Sequence, residues 1–359
     1  MNLKKVLSLV LCVAMMLSVM VVGAGAAFSD QSKIKNTEAV DACTALNIIG
    51  GYPDGSFKPE GNITRAEVTK MICVALNGGK NPAVSTNTTP TFSDVRNNAN
   101  AAWAEGYIES CAAQGIVSGV GGGKFAPNGN VTGVQLAKML LVSLGYKSEN
   151  EGFTGNAWAT NVNMRAAQKG LYKGLETMDT AAAITRDNAA QMVWNALNAY
   201  EVEYKTTLTT DKNGQLTSQI TVQDKVVGAT NDKITMLEDK YDVDKLEAVV
   251  VANEYGALEG NVLKEGKTQL KVTTVNDDDW TYDGKKDSVN YSGTYDVTTS
   301  LDLLGKKVIL FAKDKKTVVG SLIASTDNAV ATTTEEKTYK ETYDLADDAD
   351  ITIVPATKV

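Results

Sequence analysis

The sequence predicts a multi-domain protein in which all-α helical repeats are followed by a β-rich region of small barrel or sandwich domains. Two observations lead to this prediction. A turn followed by an amphipathic helix occurs twice, 68 positions apart, and returns once in a weaker form. Beyond residue 201, short stretches of alternating polarity take over. Since a single repeat cannot bury its own apolar face, the copies are expected to pack on one another.

The repeat can be followed residue by residue. The first copy carries, in order, Gly51, Asp54, Gly55, Phe57, Pro59, Ile63, Thr64, Lys70, Met71 and Leu76. The second carries Gly119, Gly122, Gly123, Phe125, Pro127, Val131, Thr132, Lys138, Met139 and Leu144. Only the exchange of Asp54 for Gly122 changes the chemistry. The third copy keeps Ile184, Thr185, Arg186, Met192 and Leu197 but lacks a matching loop.

Each copy is predicted to fold as a helix, a loop and a second helix. In the second helix of copy one, the apolar residues Val68, Met71, Ile72, Ala75 and Leu76 recur at helical spacing. Thr64 and Glu67 have the spacing of a capping box, in which each side chain accepts a hydrogen bond from the other residue's amide. Thr132 and Gln135 repeat it. Residues 51–57, rich in Gly and Pro, are predicted to form a turn.

Residues 203–330 have the pattern of antiparallel hairpins and are predicted to form one or two small β-domains. The alternating stretches are Leu216 to Val222, Ala248 to Ala252, Leu270 to Val275 and Lys307 to Ala312. Residues 241–246 are predicted to form a short helical turn. The Thr- and Asp-rich segment 331–359 is expected either to pair back as an edge strand or to continue in a longer parent protein.

The first 27 residues have the composition of a secretory signal peptide. They begin with two lysines, continue through the apolar run Val6 to Val22, and end in Ala24-Gly25-Ala26-Ala27, small residues that suit signal peptidase. The alternative is an uncleaved membrane anchor, since the apolar run is nearly long enough to span a bilayer.

Composition excludes several classes of function. Removal of the two signal-peptide lysines changes the formal charge from −8 to −10, and such an acidic chain is a poor partner for nucleic acid. With no histidine, a His-based catalytic triad or zinc site is impossible. No Ser, Cys or paired-carboxylate arrangement stands out as catalytic. Neither an enzyme nor a cofactor is therefore predicted within these residues.

Cysteines and acidic runs are assigned to structure. Cys43, Cys73 and Cys111 lie at apolar helix positions and are expected to be buried, with a Cys43–Cys73 disulfide as the alternative. Asp277 to Asp279 and Asp347 to Asp350 do not match the spacing of a calcium-binding loop, and are expected to be solvated turns.

These repeats resemble the S-layer homology family. Its hallmark is a helix, a Gly-x-x-Asp-Gly-x-Phe-x-Pro loop and a second helix that opens with Ile-Thr-Arg-Ala-Glu, as copy one does at residues 63–67. Copy two starts with Phe92-Ser93-Asp94-Val95, a typical opening of such a module. The resemblance implies three modules, at residues 28–90, 91–150 and, in degenerate form, 151–202. Such modules fold together into a three-pronged helical assembly that docks on cell-wall polymer.

Two arginines are the main candidates for ligand binding. Arg65 lies in the first turn of its helix, where the helix dipole disfavours a cation, and Arg186 does the same in copy three. A guanidinium beside free amides at a helix N-terminus suits an anion. A solvated Arg, or one paired with Asp187, is equally compatible with the residues alone. The resemblance implies that this Arg faces a groove between modules that holds acidic sugar, with Asp54 and Gly55 lining the same groove. The alternative for Asp54 is that it only caps its own turn.

The departures from the family pattern restrict this prediction. Copy two has Gly133 in place of the Arg and Gly122 in place of the Asp, so its groove is expected to lack the cation. Gly133→Ala is accordingly expected to leave the affinity for the polymer unchanged. Copy three keeps Arg186 without the loop. Trp158 and Tyr172 are candidates for stacking on a sugar ring, with a core role favoured for Trp158. At most two of three grooves are expected to be fully equipped.

The sequence therefore predicts a secreted surface protein of S-layer type. It would be held non-covalently on cell-wall polysaccharide, commonly pyruvylated, through its S-layer homology modules, while the β-rich region is structural or self-assembling. The alternative is a wall-anchored hydrolase or adhesin whose active domain lies beyond residue 359. Neither nucleic acid nor, after signal cleavage, a membrane is expected as a partner.

Overall fold

A computed structural model describes residues 28–82, 89–210, 212, 214–228, 231–258, 260–280, 289–325 and 328. The predicted signal peptide, the segment 331–359 and the acidic run at 347–350 lie outside the described residues. Within the described part of the chain, no helix is both long and apolar enough to span a bilayer. The chain divides into two compact units, residues 25–242 and residues from 243 onward.

Three helix pairs make up the repeats in the first unit. They are α1 (Thr37–Ala45) with α2 (Arg65–Leu76), α3 (Glu105–Ala113) with α4 (Gly133–Ser143), and α5 (Trp158–Gln168) with α6 (Arg186–Leu197). The predicted capping boxes are confirmed at the starts of α2 and α4. In α6 the Thr185 hydroxyl still accepts from the Asn188 amide, and this cap fixes where the helix begins.

The six helices pack in a closed ring. The second helices α2, α4 and α6 contact one another at the centre, while α3 packs on α2, α5 on α4, and α1 on α6. The first helix of each copy thus covers the second helix of the copy before it, and α1 closes the ring. Because they lie at the centre, the second helices bury most of their length, including the apolar positions that repeat in the sequence.

Three backbone hydrogen bonds tie the copies together just before the second helices. The amide of Ile63 donates to the carbonyl of Ile184 at 3.1 Å, that of Val131 to Ile63 at 3.2 Å, and that of Ile184 to Val131 at 2.8 Å. All three side chains are buried. The repeated apolar residue before each capping threonine therefore joins all three copies.

Residues 203–242 belong to the helical unit, although the sequence pattern predicts them as part of the β-rich region. A hairpin of β1 (Val202–Thr210) and β2 (Leu216–Asp224) is followed by the short pair β3 (Val226–Val227) and β4 (Asp232–Lys233) and by α7 (Met236–Tyr241). The Val202 amide donates to the Leu144 carbonyl at 2.8 Å, and the Met236 amide to Ala199 at 3.2 Å. These bonds fasten the segment to the ends of α4 and α6.

The second unit is an antiparallel sheet. Its strands are β5 (Asp244–Ala252), β6 (Thr268–Val275), β7 (Asp278–Asp279), β8 (Gly293–Tyr295), β9 (Lys307–Ala312) and β10 (Val318–Ala324), ordered β10-β9-β5-β6-β7, with β8 also paired to β6. Alternate residues of β5 are buried against one apolar cluster. The predicted β-rich region of antiparallel hairpins is confirmed. The predicted helical turn at 241–246 is wrong, because Thr235 and Glu238 form a capping box that starts α7 at Met236.

The three cysteines of the described residues, Cys43, Cys73 and Cys111, are buried and free, which confirms the burial predicted for them. The Cys73 thiol contacts Cys111 rather than Cys43. The alternative disulfide between Cys43 and Cys73 therefore has no support in the structure.

Candidate functional site

The loop of each copy packs on the second helix of a neighbouring copy. In every case the first two amides of the helix donate to loop carbonyls. In α2, the Arg65 amide donates to the Gly129 carbonyl at 2.9 Å and the Ala66 amide to Pro127 at 3.0 Å. In α4, the Gly133 amide donates to Ala182 at 3.3 Å and the Val134 amide to Thr180 at 2.8 Å. In α6, the Arg186 amide donates to Gly61 at 2.9 Å and the Asp187 amide to Pro59 at 3.1 Å. The third amide bonds the capping threonine. The expectation of free amides beside the arginines is therefore wrong, and an anion has to be bound by side chains.

Aspartates at the start of the first two copies fix the loops. Asp30 accepts from the amides of Phe57 and Lys58 at 2.8 and 2.9 Å. Asp94 does the same for the counterpart residues of the copy-two loop, Phe125 and Ala126, at 2.8 and 2.9 Å. The backbone φ is 58° at Lys58 and 56° at Ala126, and the carboxylates stabilise that conformation.

Arg186 lies over the loop of copy one. Its Nε donates to the Phe57 carbonyl at 2.9 Å and its Nη2 to the Gly50 carbonyl at 3.3 Å. Its Nη1 lies 3.5 Å from Glu67 Oε1, so Arg186 pairs with Glu67 rather than with Asp187. The guanidinium also contacts the ring of Tyr52, at 4.7 Å from the centroid. It is thus held by copy one although it belongs to copy three.

Arg65 makes the equivalent contacts one copy further on. Its Nε donates to the Phe125 carbonyl at 2.8 Å and its Nη2 to the Ser118 carbonyl at 2.7 Å, while the guanidinium lies 4.4 Å from the Phe125 ring centroid. Phe125 and Ser118 are the repeat counterparts of the residues that bind Arg186. The two arginines therefore occupy equivalent places around the ring.

The third equivalent place has no cation. A Cβ atom added at Gly133 would lie 3.0 Å from Thr180 Cα and 3.1 Å from Met178 Cε. The copy-three segment thus fills the space that a side chain would need. Gly133→Ala is therefore expected to lower the stability of the fold, because the added methyl group would press on the backbone of residue 180. That it leaves the affinity for the polymer unchanged stays a prediction.

Each arginine borders a groove. The first groove, of about 380 Å³, is lined among others by Tyr52, Glu67, Lys70, Trp103, Asn128 and Arg186. The second groove, of about 290 Å³, is lined among others by Arg65, Val120, Gln135, Lys138, Thr154 and Trp158. The prediction that the copy-two groove lacks a cation is wrong, because the copy-one helix supplies Arg65 to it. An arginine, a lysine and a tryptophan meet in both grooves.

The lysines and tryptophans are paired in the same way in both grooves. Lys70 Nζ lies 6.0 Å from the ring centroid of Trp103, and Lys138 Nζ lies 5.8 Å from that of Trp158. Trp103 is 49% exposed and Trp158 is half-buried, so the favoured core role for Trp158 does not describe its position. Each groove therefore offers an aromatic face beside a cation, an arrangement suited to an acidic sugar.

The remaining predicted residues lie elsewhere. Asp54 accepts from the amide and hydroxyl of Ser56 at 3.0 and 2.6 Å, and Gly55 has a φ of 77°, so both serve their own turn and neither lines the first groove. Tyr172 donates to Asn163 Oδ1 at 2.6 Å, and burial raises its pKa to about 12. Tyr172 lines neither of the two grooves. Its stacking on a sugar ring stays a prediction.

The site residues predicted from the sequence do not include Lys70, Lys138, Tyr52 or Trp103. The two lysines are identical in both copies of the repeat, and that identity on a partly exposed helix position was the available signal. Trp103 could not be found in this way. It precedes α3 on a segment outside the repeated loop, and only the packing of α3 on α2 brings it to the groove.

The charges of the first groove are coupled. Burial alone would raise the pKa of Glu67, but hydrogen bonds from Tyr52 and Thr64 and the charge of Arg186 together hold it below its usual value. Tyr52 Oη donates to Glu67 Oε1 at 2.5 Å, and burial together with this bond raises the pKa of Tyr52 to about 12. At neutral pH the group therefore consists of a neutral phenol, a carboxylate and a guanidinium.

Comparison with known proteins agrees with this architecture. Residues 27–69 and 91–137 match the family model of the S-layer homology domain. The chain is 25% identical over 319 residues to the middle cell wall protein of Brevibacillus brevis, a match that covers 86% of this chain and 28% of that protein.

Two further relatives match shorter parts of the chain. A cell surface protein of Thermoanaerobacter kivui is 30% identical over 206 residues, which is 56% of this chain and 26% of that protein. A cellulosome-anchoring protein of Acetivibrio thermocellus is 31% identical over 159 residues, or 41% and 34%. The matches span only about a quarter to a third of the length of these relatives. The first two copies of the repeat are S-layer homology domains.

Proposed function

We propose that the chain belongs to a secreted cell-surface protein and attaches it non-covalently to an acidic cell-wall polysaccharide through the two grooves. The observation that carries the proposal is the repetition of one arginine, one lysine and one tryptophan in both grooves. The guanidinium and ammonium groups would bind a carboxylate, and the indole would pack on a sugar ring. Relatives named for the cell wall, the cell surface and cellulosome anchoring support the setting.

The finer parts of the proposal rest on the family resemblance. The carboxylate is proposed to be a pyruvate ketal on the polysaccharide, and residues 151–202 to act as the third, degenerate module. The β-rich region is proposed to be structural or self-assembling, with residues 243–328 as one small domain built on the single apolar cluster of its sheet. No catalytic activity is proposed for the described residues.

A wall-binding experiment tests the proposal. The purified chain should sediment with isolated cell walls, should be released by a chaotrope, and should fail to sediment with walls stripped of polysaccharide. A variant with both Lys70→Gln and Lys138→Gln should lose most of its wall binding, while Lys33→Gln, on an exposed turn, serves as the matched control. Retention of the chain on stripped walls, or a chain that resists the chaotrope, would contradict non-covalent binding to the polysaccharide.

A further inference from the structure

The two grooves differ at one charged position of the repeat. The first groove contains Glu67 beside Lys70 and Arg186. In the second groove the counterpart of Glu67 is Gln135, beside Lys138 and Arg65. The second groove thus has two cations and no carboxylate among its lining residues, whereas the first has two cations and one carboxylate. Coulombic attraction for an anion is therefore greater in the second groove.

The guanidinium of Arg186 is already occupied by protein groups. Its side chain is only 9% exposed, and its nitrogens face two loop carbonyls and the Glu67 carboxylate. Tyr52 covers it further and also donates to Glu67. An anion that bound Arg186 directly would have to displace Glu67, and would then leave that carboxylate without its cation.

Arg65 lacks this cover. In the second groove Val120 replaces Tyr52, and Gln135 is held by its capping box, where its Oε1 accepts from Thr132 at 3.1 Å. Among the residues that the structure describes, neither Arg65 nor Lys138 takes part in an ion pair within 4.0 Å. Burial lowers the pKa of Lys138 although the charge of Glu149 opposes the shift, so the ammonium is partly desolvated and an incoming carboxylate would stabilise its charge. Burial likewise lowers the pKa of Arg65 against the charge of Asp94.

We propose that the second groove is the principal anion-binding groove, in which Arg65 and Lys138 bind one carboxylate of the glycan while Trp158 packs on its sugar ring. Gln135 is the residue that sets this preference, since the acidic residue at the same position of the first groove neutralises Arg186. The inference rests on the proposed function for the chemistry of the ligand. It makes the two S-layer homology domains unequal partners in wall binding.

Titration calorimetry of the whole mature chain tests the inference. The probe is a synthetic hexose glycoside that carries a 4,6-pyruvate ketal, and the same glycoside without the ketal is the reference. Gln135→Glu should weaken binding of the ketal by about tenfold, because it places a carboxylate in the second groove. Glu already fills this position in the other capping box, so the variant should fold, and its melting temperature checks that.

The matched pair Lys138→Gln and Lys70→Gln separates the grooves. Lys138→Gln should weaken ketal binding by about tenfold, whereas Lys70→Gln should change it less than about twofold. Equal losses, or a larger loss with Lys70→Gln, would overturn the inference while leaving the proposed function intact. An unaffected Gln135→Glu variant would also overturn it.

Wall sedimentation decides the case if the ketal glycoside does not bind the wild-type chain. Weaker wall retention of Lys138→Gln than of Lys70→Gln would still support the second groove as the principal site. Equal retention would overturn the inference alone. A wild-type chain that fails to bind walls at all would overturn the proposed function, and the inference with it.

Discussion

Arg65 and Arg186 show that equivalent residues in a repeat need not have equivalent roles. Both donate to carbonyls of a neighbouring loop, but only Arg186 is buried and paired with a carboxylate. Desolvation makes such a charge strongly dependent on its partners. Arg186 therefore acts first as a structural residue that joins copy three to copy one. Arg65 instead lines the second groove with part of its side chain.

This difference predicts unequal effects on stability. Arg186→Ala should lower the free energy of unfolding by about 3 kcal/mol, because it leaves Glu67 without its cation and removes the donor to the buried Phe57 carbonyl and to the part-buried Gly50 carbonyl. Arg65→Ala should cost about 1 kcal/mol, since the site is half-exposed. Urea denaturation followed by circular dichroism measures both. Equal losses would contradict the structural role of Arg186.

A second prediction concerns the pH dependence contributed by Glu67. Its pKa in the folded state is lowered, so its contribution to stability is present above the usual Glu pKa of about 4.3 and is lost as the pH falls through the folded value. The wild type should exceed Glu67→Gln in unfolding free energy by about 1 kcal/mol at pH 6, and this difference should shrink below about pH 4. Glu60→Gln, at an exposed position, is the control and should show no such change. A difference that grows on acidification would contradict the assignment.

Residues with local partners could be predicted from the sequence, and those with distant partners could not. The pair Thr64 and Glu67 needs only the start of one helix, and its capping box is present as predicted. The side chain of Arg65 instead bonds a carbonyl at residue 125, in another copy. No pattern within one repeat indicates which loop covers which helix. The two arginines could therefore be identified from the sequence, but the groove in which Arg65 lies could not. For this reason the copy-two groove was wrongly predicted to have no cation.

At the scale of secondary structure, the caps and the alternating stretches determined the elements. The four predicted strands fall within β2, β5, β6 and β9, because period-two alternation is a direct consequence of a half-buried strand. The hairpin of β1 and β2 is an exception in its burial. Its apolar residues all lie on one face by register, yet Leu208, Leu216 and Ile220 are 69%, 76% and 57% exposed.

The hairpin provides a test of the proposed self-association. The exposed apolar residues share one face by register, and the opposite face is polar. If a second copy of the chain covers the apolar face, Leu208→Lys with Ile220→Lys should raise the dissociation constant for self-association by about tenfold or more. Thr207→Lys with Gln219→Lys adds the same charge to the opposite face and is the matched control. Sedimentation velocity over a range of concentrations measures both. Equal effects of the two pairs would indicate a charge effect and exclude the apolar face as the contact.

At the scale of the whole helical unit, the copies form a closed ring and depend on one another. The first two amides of every second helix donate to loop carbonyls of a neighbouring copy. Every first helix packs on the second helix of the preceding copy, with α1 packing on α6. A repeat array that is open at both ends needs special terminal copies to cover its exposed faces. Here α1 packs on α6 and covers that face, which explains why a copy as degenerate as the third is still held in place.

Ring closure predicts that the helical unit unfolds as one cooperative unit. Deletion of residues 28–90 from the chain removes the Ile63 carbonyl that binds Val131, the loop that covers the start of α6, and the helix α1 that packs on α6. The remaining helices would then expose apolar faces and unsatisfied amides, so we expect loss of the cooperative thermal transition of the helical unit rather than a modest fall in its midpoint.

The matched control is deletion of residues 243–359, which leaves every contact of the ring in place and should preserve the transition. Thermal unfolding followed by circular dichroism at 222 nm distinguishes the two outcomes, since that signal is dominated by the helices. A cooperative transition near the wild-type temperature in the first variant would show that copies two and three are stable by themselves, and that the ring does not couple them to copy one.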